Sequence, residues 1–211
     1  VAYTWFNRFC ALRFMDANRY LPMGVTTPLP GFTQPEILQE AKNGLFMTEL
    51  KGILNKQRVL NLLDGVEPSS NPQQEAYRML VVAVCNWLHQ KMPFLFEKIQ
   101  DYTELLMPLD LLSENSILFS VREALTDEAC QDVEVIGWLY QFYISEKKDQ
   151  VMGAKGRVAK EDIPAVTQLF TPHWIVRYLV ENSLGRLWML NNSQSTLIEK
   201  IDYYISPNEE E

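Results

Sequence analysis

The chain has 211 residues, of which 47% are hydrophobic and 22% charged, and its formal net charge is −8. This length and balance suffice for one full domain, or a domain and part of another, around a sizeable core, and they exclude disordered and fibrous classes. The acidic total excludes a surface that is basic as a whole and leaves nucleic-acid contact to a local patch.

The first segment predicts a helix to about Asn18, with Trp5, Phe6, Phe9, Leu12 and Phe14 wrapping most of its circumference, hence a buried helix. Arg13 and Asp16, at i and i+3, suggest a structural pair on it. Pro22, Pro28 and Pro30 with Gly24 and Gly31 then enforce a loop. "QPEILQEAKNG" predicts a short helix with Pro35 near its start and Gly44 as its stop. "LFMTELKGILNKQRVLNLLDG" continues helically to Gly65, and "EPSSNPQQ" is a polar connector. "QEAYRMLVVAVCNWLHQKMP" predicts a long apolar helix ended before Pro93. A broken pair of short turns follows over "FLFEKIQDYTELLMPLDLL". "SENSILFSVREAL" predicts a helix opened by a capping box drawn from Ser113 and Ser116. "DVEVIGWLYQFYISEKK" predicts another, with Val135, Leu139, Phe142 and Trp138 on one stripe and Gly137 as a weak point inside it.

The composition then changes. Lys147, Lys148, Lys155, Arg157 and Lys160 stand against Glu146 and Asp149, a local net charge of +3 that leaves −11 for the rest. Flexible Lys and Arg of this kind are candidate DNA-phosphate contacts; a solvated linker is the plainer reading. Next comes "TQLFTPHWIVRYLVENSLG". Thr171 reads as an N-cap, Pro172 as N1, Ile175, Tyr178 and Leu179 as an inward stripe, and Gly185 as a left-handed stop. Free N–H groups and a positive dipole end beside Phe170 make a place for a carboxylate next to an apolar group. "SQSTLIEKIDYYI" predicts a last helix.

Three cysteines without a C-x-x-C spacing and two distant histidines, His89 and His173, argue against a disulfide framework and a metal site and for a reducing, cytoplasmic setting. No apolar run reaches the roughly 18 residues of a membrane span, and no secretory signal is visible. Asp132 and Glu134, two apart, make poor acid–base partners on a helix. The five tryptophans read as core rather than as base-stacking platforms. The chain starts inside a helical pattern without Met, and both ends are expected to be cuts through a longer protein.

Three long blocks carry a resemblance. "VAYTWFNRFCALRFMDANRYLP", then "FEKIQDYTELLMPLDLL" with "DVEVIGWLYQFYISEKKD", and "EDIPAVTQLFTPHWIVRYLVENSLGRLW" resemble the PglX-like adenine-specific methyltransferases of BREX phage-defence systems. The resemblance spans nearly the whole chain. It implies a parent enzyme that moves a methyl group from S-adenosylmethionine to the N6 amine of adenine at a specific site in double-stranded DNA, with the base flipped out of the duplex. In amino-type methyltransferases an "(F/Y)TP" turn lines the cofactor pocket. By that likeness Phe170 and Thr171 contact the cofactor, Pro172 stiffens the turn and Leu169 presents backbone. Further phage-defence proteins are implied as partners.

The chain departs from that pattern in two places. It has neither the Gly-rich D-P-x-x-G-S-G loop nor the N-P-P-Y loop of such enzymes, and "GAKG" follows a helix rather than a strand. No catalytic residue is therefore assigned. The expected organisation is a mainly α chain: an irregular helical bundle over 1–149, a basic loop or linker over 150–166, and over 167–211 the first helical element of a truncated methyltransferase domain. Alone it should be inactive and bind the cofactor weakly or not at all, since one wall is not a pocket. The alternatives are a helical protein-interaction module and the linker region of a restriction–modification fusion enzyme. About 60 residues beyond Glu211 in the parent gene should carry the Gly-rich loop, and the N-P-P-Y loop later, if the enzyme reading holds.

Overall fold

The structure, a computed structural model, describes residues 2–93, 96, 98–99, 106–132, 134–154 and 156–206. Among these residues it is helical and has no strand, only an isolated antiparallel bridge between Pro28 and Pro35. The mainly α expectation is met. The chain divides into two compact units, residues 1–133 and 134–211.

Among the described residues the first unit holds five helices: α1 (Ala2–Ala17), α2 (Glu36–Lys42), α3 (Lys56–Leu63), α4 (Pro72–Lys91) and α5 (Ile117–Ala124). Its core follows from apolar spacing. On α4, Tyr77, Leu80, Val81, Val84, Cys85 and Leu88 recur three and four apart, and each is buried. Asn71 caps the helix by accepting the Gln74 N–H at 3.3 Å, and Pro72 sits in its first turn. α2 and α3 pack on α4, and α1 packs on α5. α1 buries Trp5, Phe9, Cys10 and Leu12, so the expected buried first helix is present.

Arg13 and Asp16 do not pair with each other. Asp16 turns to the loop after α1. Its Oδ1 accepts the Val25 N–H at 3.0 Å, and its Oδ2 accepts the Thr26 N–H (2.6 Å), the Thr26 hydroxyl (2.6 Å) and the Thr27 N–H (3.1 Å). Burial pushes the Asp16 carboxyl above its usual range against the pull of these donors. Arg13, also buried, donates to the Leu125 carbonyl (2.7 Å), Thr27 Oγ1 (2.8 Å) and Asp127 Oδ1 (2.6 Å). Two helix residues thus fasten a proline-rich loop and the end of α5 to α1. The Tyr77 hydroxyl adds a buried bond to the Val25 carbonyl at 2.9 Å.

Two expected helices are shorter here. The stretch 45–65 is not continuous: a 3₁₀ turn at Thr48–Leu50 is followed by Gly52 at φ +81, a left-handed conformation that ends helical winding. α3 then restarts at a new cap, Asn55, which accepts the Arg58 N–H at 3.1 Å. α5 is capped by Ser116, accepting the Phe119 N–H at 3.2 Å, while Ser113 binds Asp110 instead. Of the short turns expected over 94–112, residues 94–95, 97 and 100–105 lie outside the described residues.

The second unit holds α6 (Val135–Gly153), α7 (Ile163–Thr167), α8 (His173–Val180) and α9 (Arg186–Asn191). The stretch 150–166 is not a loop throughout: α6 runs on to Gly153, and a 3₁₀ turn at Lys160–Asp162 leads into α7. A π turn at Glu181–Gly185 joins α8 to α9 without a stop. Gly185 is right-handed, φ −60 and ψ −45, so it carries the helix on rather than ending it. The last expected helix is only a 3₁₀ turn, Thr196–Lys200. Asn182 explains why: its side chain donates to the Tyr203 carbonyl (2.7 Å) and accepts the Ile205 N–H (2.8 Å), withdrawing both groups from a helical ladder.

All three cysteines are buried and free, and all lie in the first unit. Burial pushes the Cys85 thiol up to about 12 and the Cys10 thiol up to about 11, and also raises that of Cys130.

Candidate functional site

The turn Leu169–Pro172 lies between α7 and α8. The helix starts one residue later than the sequence suggests. Pro172, at φ −53 and ψ 138, is the N-cap, and no side chain caps the helix from that position. Thr171 therefore does not cap it; extended backbone at Pro172 keeps the winding from beginning until His173. The first free N–H is taken by a carboxylate from elsewhere: His173 N–H donates to Glu134 Oε2 at 3.3 Å. The carboxylate-binding place read from the helix start is filled by the protein's own Glu134.

Two more contacts fix the turn on α6. The Phe170 N–H donates to Gln141 Oε1 at 3.3 Å. The Phe170 ring lies on the backbone of Gly137 so closely that a β-carbon there would fall inside the ring's van der Waals surface. Glu134, Gly137 and Gln141 stand at i, i+3 and i+7, so one face of α6 and its N-terminal edge meet the turn. The sequence marks Gly137 only as a weak helix position and Glu134 only as a poor acid–base partner of Asp132, and it does not mark Gln141. Glu134 and Gln141 meet partners 39 and 29 residues away, and nothing in local spacing announces them.

Leu169 and Phe170 are exposed, at 65% and 37%, and Thr171 is exposed too. The expected inward stripe on α8 is not buried: Tyr178 and Leu179 are 40% and 58% exposed. Of the five tryptophans only Trp5 is in the core; Trp174 and Trp188 are half exposed. An apolar groove of about 640 Å³ opens beside α9, lined among others by Val180, Leu184, Leu187, Trp188, Leu197 and Ile201; none of the turn residues lines it.

Beyond α8, Glu181 is buried. Its Oε1 accepts Arg177 Nε (3.0 Å) and Nη2 (2.9 Å), and its Oε2 accepts the Tyr203 N–H (2.6 Å). Arg177 also pairs with Asp202 at 2.9 Å and lies over the Tyr203 ring. Sequence reasoning assigned none of these four residues. A π turn is a place where a helix re-aims side chains, and here it turns Glu181 and Asn182 onto the 203–205 backbone.

The basic residues divide. Lys147 and Lys148 are on α6, and Lys147 pairs with Asp162 at 3.0 Å. Arg157 lines a small cavity of about 270 Å³ with Lys147 and Gln150. Lys160 is exposed on its 3₁₀ turn. Lys155 lies outside the described residues. Among the described residues no group of three or more His, Cys, Asp or Glu side chains is placed to hold a metal ion, and no helix is long and apolar enough to cross a membrane.

Comparison with known proteins gives two close relatives. An adenine-specific methyltransferase BrxX of Escherichia coli O9:H4 (strain HS) is 44% identical over 99% of this chain. An adenine-specific methyltransferase PglX of Lacticaseibacillus casei (strain Zhang) is 42% identical over 90% of it. The chain spans 17% and 16% of their lengths. No family model matches. Over almost the whole of its length, then, this chain is similar in sequence to a part of two proteins named as adenine-specific methyltransferases.

Proposed function

We propose that this chain is the helical segment of a DNA adenine-N6 methyltransferase that uses S-adenosylmethionine in bacterial phage defence. In this reading the first unit is scaffold and the Leu169–Pro172 turn is one wall of the cofactor pocket. The observation that carries it is the turn itself: an exposed apolar Phe170 beside a free Thr171, held from behind by α6, in a chain whose relatives are named for adenine methylation.

A second observation supports incorporation into a larger protein. At about 100° per residue, Trp174, Val176, Leu179 and Val180 point roughly 0°, 200°, 140° and 240° around α8, and all are exposed. A helix apolar on most sides is one made for an interior. Further polypeptide of the parent would supply the cover, the Gly-rich loop and the loop that holds the target amine. Catalysis is assigned to none of the residues here, and the parent's setting is cytoplasmic.

The test uses the full-length protein, duplex DNA and methyl-labelled S-adenosylmethionine. Label should appear at adenine N6, and Phe170→Ala should weaken cofactor binding by about tenfold, the loss of one well-packed aromatic contact. No transfer to DNA, or unchanged binding in Phe170→Ala, would reject the reading.

Lys148, Arg157 and Lys160, with Lys147 and Lys155 beside them, are the proposed phosphate contacts. Changing Lys148, Arg157 and Lys160 together to Ala in the full-length protein should make the slope of log affinity against log salt shallower by about 2–3, roughly 0.9 per lost contact. Lys147 contributes less, because Asp162 already neutralises it. An unchanged slope removes this face from the DNA interface.

A further inference from the structure

We propose that Glu134, Gly137 and Gln141 are positioning residues: the face of α6 they form is the seat that sets where Phe170 and Thr171 stand. The proposal rests on the reading of the turn as a cofactor wall and adds what holds that wall. It stands on three contacts of different chemistry that converge on four consecutive residues of chain.

Each contact fixes a different degree of freedom. Gln141 Oε1 accepts the Phe170 N–H at 3.3 Å and sets the height of the turn along α6. Glu134 Oε2 accepts the His173 N–H at 3.3 Å, sets where α8 begins and neutralises the positive end of that helix. Gly137 sets the distance, because only a residue without a β-carbon lets the Phe170 ring rest on the helix backbone. Gly inside a helix costs about 1 kcal/mol relative to Ala, and the Phe170 ring that covers Gly137 is what makes that cost useful here. Gly137 is not left-handed, so close approach, not backbone conformation, is the reason for glycine.

A chemical consequence follows from Glu134. A ligand carboxylate aimed at the start of α8 would meet the Glu134 carboxylate already there. The turn therefore offers a ligand the Phe170 ring, the Thr171 hydroxyl and the backbone of Leu169, and not the dipole end of α8. The part of an S-adenosylmethionine molecule that suits such a wall is uncharged.

The experiment is a size swap in the full-length protein. Gly137→Ala should push the Phe170 ring off α6 and raise KM for S-adenosylmethionine by about tenfold, with kcat changed by less than about twofold, since uniform binding is lost and transition-state contacts are kept. Phe170→Ala in the Gly137→Ala background should leave KM no higher than in Phe170→Ala alone, because removing the whole ring, Cδ2 included, leaves room for the added methyl. A purely structural role for Gly137 predicts a lower melting temperature, an unchanged KM and no rescue. Gln141→Ala and Gln141→Glu supply a second arm free of steric strain: the first should raise KM and the second, which keeps an acceptor oxygen, should not. If the wild-type protein binds the cofactor and Gly137→Ala and Gln141→Ala leave KM unchanged, the seat is overturned and the wall stands. If the wild-type protein does not bind S-adenosylmethionine, the wall and the seat fall together.

Discussion

Asp16→Ala destabilises the first unit by about 3–5 kcal/mol, because three N–H groups and a hydroxyl lose one shared acceptor and each orphaned buried donor costs about 1–3 kcal/mol. Val25 and Thr26 are fully buried, so water cannot easily take the place of the carboxylate. The loss is a large fraction of the 5–15 kcal/mol typical of a domain, and the urea midpoint of the chain reads it. A midpoint shift of only a few tenths of a molar would mean that the loop is held mainly by Arg13 and Tyr77. Asp16→Asn adds a pH test. The folded carboxyl has a raised pKa, with burial as the larger cause. The fold therefore keeps this proton at a pH where the unfolded chain has lost it. Its contribution to stability is fully present below the unfolded value of about 3.9 and declines as pH rises through the folded one. Asp16→Asn cannot titrate and should lack that decline.

Glu181→Ala opens the end of the second unit rather than melting it. The carboxylate accepts from Arg177 through one oxygen and from the Tyr203 N–H through the other. Its removal should free the 202–205 segment by about 2 kcal/mol, about thirtyfold less protection of the Tyr203 and Ile205 amides in hydrogen exchange. Glu181→Gln should restore little. Both oxygens accept, and an amide has one acceptor oxygen and one donor nitrogen, so Gln satisfies Arg177 or Tyr203 but not both. Equal protection in all three proteins would assign the segment to Asn182 alone.

These two carboxylates show where local sequence stopped being informative. α4 was legible because its apolar residues recur at helical spacing with Asn71 and Pro72 at one end and Pro93 beyond the other. The long helix expected over 193–205 was not, since the competitor for its backbone is the side chain of Asn182, some twenty residues earlier. Gly185 reads as a stop by composition, yet the π turn before it keeps the helix winding. Arg13 and Asp16 have the spacing of a pair, but each finds a stronger set of partners in loops that spacing does not reveal. At the turn, the motif residues were legible and their support was not. Phe170 carries the resemblance at the turn, while Gln141 meets it, and Glu134 meets His173, only through the path of the chain. The relation of such a turn to a cofactor is a property of chemistry beyond any one helix, so it came from likeness and not from periodicity.

The burial of the cysteines has a practical side. A thiol reagent attacks the thiolate, and both Cys10 and Cys85 need alkaline pH even before burial blocks access. In the native chain all three should stay unmodified at neutral pH. They react only when the first unit opens, and the second unit carries no cysteine at all. The protein thus contains its own clock for one unit. The rate of thiol labelling counts openings of residues 1–133 and is silent about the turn, the π turn and the helices that follow.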